Sequence, residues 1–136
     1  MKRPMRRFDE RGASAVEFAL LLPLLMMILF GIIEFGMALY RQAILTNASR
    51  EGARLGIVQS VPAITTAAIN ARIDAYLTAA GIAPGSVTRA ISPIVSVTGS
   101  PVTVSLTLPY TFVVLPGLTA VAPTINLVAT TAMSHE

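Results

Sequence analysis

The sequence predicts an α+β fold. A long N-terminal transmembrane α-helix continues into a small extracytoplasmic domain with a second helix and a short antiparallel sheet. Three observations carry that expectation. No charged residue occurs from Phe18 to Ile33. Beyond that run, Ile44, Leu45, Ala48, Leu55 and Val58 recur at three- and four-residue steps, the spacing of one helix face. From Val102 to Phe112, apolar residues alternate with Thr103, Ser105, Thr107, Pro109 and Thr111, the period of a strand with one buried face.

The apolar fraction is 54 % and the charged fraction only 12 %, apolar-rich for a soluble domain of 136 residues. The net charge of +3 arises in the first 12 residues, where Lys2, Arg3, Arg6, Arg7 and Arg11 outnumber Asp9 and Glu10. From Ala13 onward five arginines balance five acids. A nucleic-acid binder would carry its basic residues on the folded domain, so nucleic acid is not an expected partner. Basic residues before an apolar run read instead as a cytoplasmic flank. With no cysteine there is no disulfide framework and no thiolate metal site.

Residues 1–12 form a basic leader too polar to build a core. Val16–Tyr40 is a 25-residue stretch, about 37 Å as helix, enough to cross a hydrocarbon core of about 30 Å. It exceeds the apolar run of an ordinary signal peptide, about 7–15 residues. Thr111–Ala129 is interrupted by Pro116, Gly117 and Pro123, so a single span is expected. Its N-terminus would be cytoplasmic and its C-terminal domain outside, in the inner (cytoplasmic) membrane. Pro23 removes one backbone hydrogen bond within the span and should kink it. The long helix is expected over 13–58, with Pro62 ending or following it.

The remaining residues, 59–136, are expected to form the head. Ala63–Ala80 reads as an amphipathic helix with Ile69, Ile73, Tyr76 or Leu77, and Ala80 on one face, Arg72 and Asp74 off it, and Gly81 as its C-terminal cap. Pro84-Gly85 marks a turn. Val87–Val97, broken by Pro93, reads as a weak strand, Gly99-Ser100 as a hairpin turn, and Thr124–Met133 as a third strand. Ile125, Leu127, Ala129 and Met133 share one side of it. Pro93 and Pro109 suggest sheet edges or bulges.

Gly12-Ala13-Ser14-Ala15-Val16-Glu17-Phe18 lies immediately before the apolar run. One reading is local chemistry, with Ser14 and Glu17 as a capping box and an acid suited to a helix N-terminus. A basic leader ending in Gly, then Glu five residues on, followed by Phe and an apolar helix, also resembles the class III signal of type IV pilins and pseudopilins. AVEFALLLPLL, GIIEFG and ASREGARLG, in that order, resemble the TadE-like family of minor pseudopilins in tight-adherence (Flp-type) pilus systems. Tyr does not follow Glu-Phe here as it does in the major Flp pilins, which argues for a minor subunit.

The resemblance implies cleavage by a prepilin peptidase between Gly12 and Ala13. It implies that Glu17, followed by Phe18, neutralises the α-amine of a neighbouring subunit. A buried charge needs such a partner. The implied partners are the peptidase, other pilin or pseudopilin subunits, the pilus assembly platform and the lipid bilayer. Neither cofactor, metal nor small-molecule substrate is implied.

Glu34 sits 17 residues beyond Glu17, about 26 Å along a helix, near the outer interface. Two readings stand: an interfacial anchor reaching toward water, or a subunit contact. Ala48, Gly52 and Gly56 make a stripe of small residues that admits close approach, by the chain's own sheet or by a neighbouring subunit. Arg50, Glu51 and Arg54 are spaced for surface pairing along the helix.

Catalysis finds little support. The single histidine, His135, lies next to the last residue, where chain ends fray, and no Ser/His/Asp set or phosphate-binding glycine loop occurs. Three rivals remain. The first is an anchored extracytoplasmic binding domain never cut after Gly12. The second is a secreted domain cut after Gly36-Met37-Ala38, and the third a pseudopilin of a type II secretion or competence system.

Overall fold

The computed structural model describes residues 10–58, 63–92, 99–112 and 124–134. Among these residues two helices, one 3₁₀ turn and three strands follow in order: α1 (Glu10–Gly56), α2 (Thr66–Ala79), the turn Pro84–Ser86, β1 (Thr88–Ile91), β2 (Pro101–Thr111) and β3 (Thr124–Ser134). The strands form one antiparallel sheet in the order β1-β2-β3. This is the expected α+β arrangement, with one helix long and apolar enough to cross a membrane.

α1 runs unbroken for 47 residues with Pro23 inside it. It is already helical at Glu10, three residues before the expected start. Ser14 and Glu17 therefore lie within the helix and do not form a capping box at its end. It stops at Gly56, two residues before the expected Val58. Pro62 lies outside the described residues.

α2 is shorter at both ends than the 63–80 expected. Thr65 is its N-cap, in extended conformation, and its hydroxyl accepts from the Ala68 N–H. That bond satisfies one of the donors a helix start leaves open. At the other end the Ile82 N–H reaches the Leu77 carbonyl and the Gly81 N–H reaches Thr78. Gly81 takes φ +76°, a left-handed conformation that costs a glycine nothing. Ile82 and Leu77, bracketing this cap, are both buried. On the inner face Ile69, Ile73 and Leu77 are fully buried, so Leu77 and not Tyr76 completes the row.

β2 confirms the alternation. Val102, Val104, Leu106, Leu108 and Tyr110 point into the core and the residues between them do not. β1 pairs Thr88–Ile91 with Thr107–Val104, and the Ser92 N–H extends that pairing to the Thr103 carbonyl. Residues 93–98, including Pro93, lie outside the described residues, as does the 113–123 segment. Gly99 turns at φ +83° before β2 begins. Pro109 falls beyond the end of β1's pairing, where β2 has only β3 beside it among the described residues. A missing N–H costs least on such a one-sided stretch.

The outer half of α1 packs on both α2 and the sheet. Leu45 and Ala48 on α1, Ile69, Ile73 and Leu77 on α2, and Leu106 on β2 meet in one core with no exposed surface. Each buried leucine or isoleucine contributes roughly 1.5–3 kcal/mol of transfer free energy. Ser49 is the one fully buried polar side chain among the described residues. Its hydroxyl donates to the Thr46 carbonyl and lies 2.7 Å from the Thr131 hydroxyl, so α1 is tied to β3 without an unpaired polar group.

Candidate assembly helix and its junction with the head

The sequence-identified residues occupy three separate places along α1. At the N-terminal end Gly12, Ala13, Glu17 and Phe18 are all exposed, Phe18 by 62 %. A side chain at Gly12 would meet nothing within 4 Å. From Gly12 to Ile33 no residue is buried. That bare stretch of 22 residues is about 33 Å long, against about 30 Å of hydrocarbon. It fits a single-pass membrane anchor.

The first buried residue among those described is Glu34, 4 % exposed. The Tyr110 side chain on β2 hydrogen-bonds it, the hydroxyl donating to the carboxylate. The Arg41 guanidinium lies over the Tyr110 ring, 5.3 Å from its centroid, and Phe112 meets the same ring edge-on at 5.4 Å. Burial, followed by the Glu34 charge, holds the Tyr110 hydroxyl above the ordinary tyrosine range, and Arg41 opposes that shift in part. Glu34 therefore turns inward under the head instead of reaching along the helix toward water. Placing Tyr110 there follows from the β2 alternation, which puts every second residue on the α1 side.

Gly52 and Gly56 form the third place. A Cβ at Gly52 would lie 2.8 Å from Ile73 Cδ1, and one at Gly56 would lie 2.7 Å from Val102 Cγ1 and 3.0 Å from Ile69 Cδ1. The small-residue stripe thus admits the chain's own α2 and β2. Near it Glu51 pairs with Arg72 of α2, whose Nε donates at 3.0 Å. The spacing along α1 offers Arg54, three residues on, as a partner instead. The Arg72 hydrogen bond, with help from Arg54's charge, holds the Glu51 carboxyl below the usual carboxylate range. Arg89 faces Asp74 as a second ion pair and donates to the Pro84 carbonyl.

Sequence reasoning misses three pairings: Glu34–Tyr110, Glu51–Arg72 and Asp74–Arg89. Each joins residues from different elements, and no local spacing marks them. Among the described residues no group of three His, Cys, Asp or Glu side chains is placed to hold a metal. His135 lies outside the described residues.

A helix long and apolar enough to cross a membrane, packed by its distal half against α2 and a small sheet, fits a single-pass anchor carrying an α+β head. The family model described as TadE-like protein matches residues 12–54, which is nearly all of α1. That match bears out the resemblance read from AVEFALLLPLL, GIIEFG and ASREGARLG; α2 and the sheet lie beyond it. No curated protein and no solved structure matches the chain significantly.

Proposed function

We propose that this chain is a minor pilin-like subunit of a tight-adherence pilus. It is anchored in the cytoplasmic membrane with its N-terminus inside, trimmed by a prepilin peptidase after Gly12, and assembled through α1 with other subunits and the assembly platform. The observation supporting this most strongly is the coincidence of the TadE-like match with a bare helix, whose Glu17 is exposed at the start of the apolar run. An acid at that depth is costly in lipid unless a cation meets it. The α-amine created at Ala13 of a neighbouring chain is such a cation.

Assembly of this kind repeats one heterologous contact and yields a helical array. The bare face of α1 supplies packing surface for it, since helices in lipid associate by close packing and polar pairing. Adhesion belongs to the assembled pilus in this reading. A second reading has one observation in its favour. α1 begins at Glu10, so the Gly12–Ala13 bond lies in helical backbone, whereas a peptidase takes an extended one. An uncut, membrane-anchored binding domain would look the same. Yet Gly12 is a weak helix former, about 1 kcal/mol worse than alanine, so opening the helix there costs little.

Glu17→Gln separates the two. In the pilin reading the variant stays in the membrane, is still trimmed, and no longer cross-links to other subunits or sediments with sheared pili. Unchanged incorporation would contradict the reading.

A further inference from the structure

The bare part of α1 and the head meet without a spacer, and this fixes where the head sits. That placement rests on the membrane-anchor reading of α1 proposed above. The bare stretch from Val16 to Ile33, 18 residues, already uses about 27 Å, most of the hydrocarbon thickness of about 30 Å. The head begins at the next residue, since Glu34 is buried by it and bonded to Tyr110. On the side of α1 that the head leaves open, apolar exposure continues past that level. Phe35 and Tyr40 are each 60 % exposed, and Leu39 is 56 % exposed.

The sheet shows the same pattern at its near end. Ile125 stands opposite Tyr110 in the β2–β3 pairing. It lies on the same face as Leu127 and Ala129, which are 8 % and 5 % exposed, yet it is itself 40 % exposed. The inward apolar row thus runs past the edge of the core at the level of Glu34. Its neighbours at that end, Thr111 and Thr124, are uncharged. Among the described residues, the first cation on α1 beyond Glu34 is Arg41, about two turns further out and over the Tyr110 ring.

We propose that this end of the head, through Phe35, Leu39, Tyr40 and Ile125, is a lipid-contacting surface seated in the interfacial layer of the bilayer. Continuity with the span identifies the occupant as lipid. An apolar face that begins where the hydrocarbon ends, edged by tyrosine and with an arginine just above, matches the chemistry of the headgroup region. Seating there removes Ile125 and Phe35 from water and fixes the tilt of the sheet on its helix. The Glu34–Tyr110 bond then lies at the water–lipid boundary, sealed by the head.

The chain contains no cysteine, so single-cysteine variants of the full chain can be labelled directly. Ile125→Cys and Tyr40→Cys carry an environment-sensitive fluorophore, with Leu24→Cys as the reference within the span. Ser134→Cys, paired with Pro101 at the far end of the sheet, is the reference for a position away from lipid. Each is reconstituted in phosphatidylcholine–phosphatidylglycerol vesicles containing headgroup- and acyl-nitroxide lipids. The expected result is headgroup quenching at residues 125 and 40 at least about threefold stronger than at 134, and acyl quenching at 24. Equal quenching at 125, 40 and 134, with strong quenching at 24, would overturn the docking and leave the anchor intact. No quenching at 24 would remove the anchor, and the docking with it.

Discussion

The Tyr110 hydroxyl donates to the Glu34 carboxylate where the bare helix becomes a packed one. At the far end of the same seam Gly56 lies against Val102. Glu34 and Gly56 are 22 residues apart on α1, about 33 Å of helix, and Tyr110 and Val102 are eight residues apart on β2, about 26 Å of strand. β2 therefore runs back along the outer half of α1, held by a polar contact at one end and a close backbone approach at the other. The head has one fixed position on its helix.

Tyr110→Phe removes the donor and leaves the buried Glu34 without that bond. The expected cost is about 1–3 kcal/mol, read as a lower unfolding midpoint for the head in detergent. The wild-type head should also lose stability at alkaline pH. Tyr110 resists ionisation when folded, so above the ordinary tyrosine range, about pH 10, the unfolded chain releases a proton that the folded one keeps. Tyr110→Phe should flatten that alkaline decline. An unaltered midpoint and pH profile would contradict the contact.

The glycines of α1 divide by position. Gly52→Ala and Gly56→Ala force Ile73 or Val102 to move, since the added carbon would sit under 3.0 Å from them. Overpacking costs about 1–3 kcal/mol, offset at Gly52 by up to about 1 kcal/mol of helix propensity. Gly31→Ala and Gly36→Ala meet nothing within 4 Å and should leave the head's stability unchanged. Thermal melts of the four variants check the contrast.

Leucines should divide in the same way. Leu45 is fully buried and Leu25 is 55 % exposed. Leu45→Ala should cost the head about 2–5 kcal/mol by opening a cavity, while Leu25→Ala should leave its unfolding untouched. Denaturant titration of the head's tertiary signal distinguishes them.

Glu51–Arg72 is an exposed pair and should be worth little. Glu51→Gln is expected to change stability by about 0–1 kcal/mol, with the difference shrinking as salt is raised. Because the folded Glu51 carboxyl is held below its unfolded value, whatever the pair contributes is present above the ordinary carboxylate range. It is lost as pH falls through the lowered one. Melts at two salt concentrations and across acid pH check both effects.

Elements governed by local periodicity were legible in the sequence. The β2 alternation from Val102 to Tyr110 and the Ile69–Ile73 face of α2 follow from which residues must leave water, and the structure reproduces both. Element ends were less legible. Thr65 caps α2 although Ala63 and Ile64 before it are equally compatible with helix, because the cap depends on one hydroxyl reaching one N–H. The orientation of Glu34 was not legible at all. Its position in the apolar run suggested the interface, but its partner lies 76 residues away on a strand, and only the packing of β2 along α1 brings them together. The small stripe at Gly52 and Gly56 was visible as a stripe; which side chains fill it is a property of the fold.

In the proposed function, α1 becomes an assembly helix by losing its leader. The most direct test is the N-terminal mass of the chain isolated from its own membranes with an active prepilin peptidase. The account predicts a start at Ala13, abolished by substitution of Gly12. An intact Met1 in that material would contradict it and leave an anchored domain that is never cut.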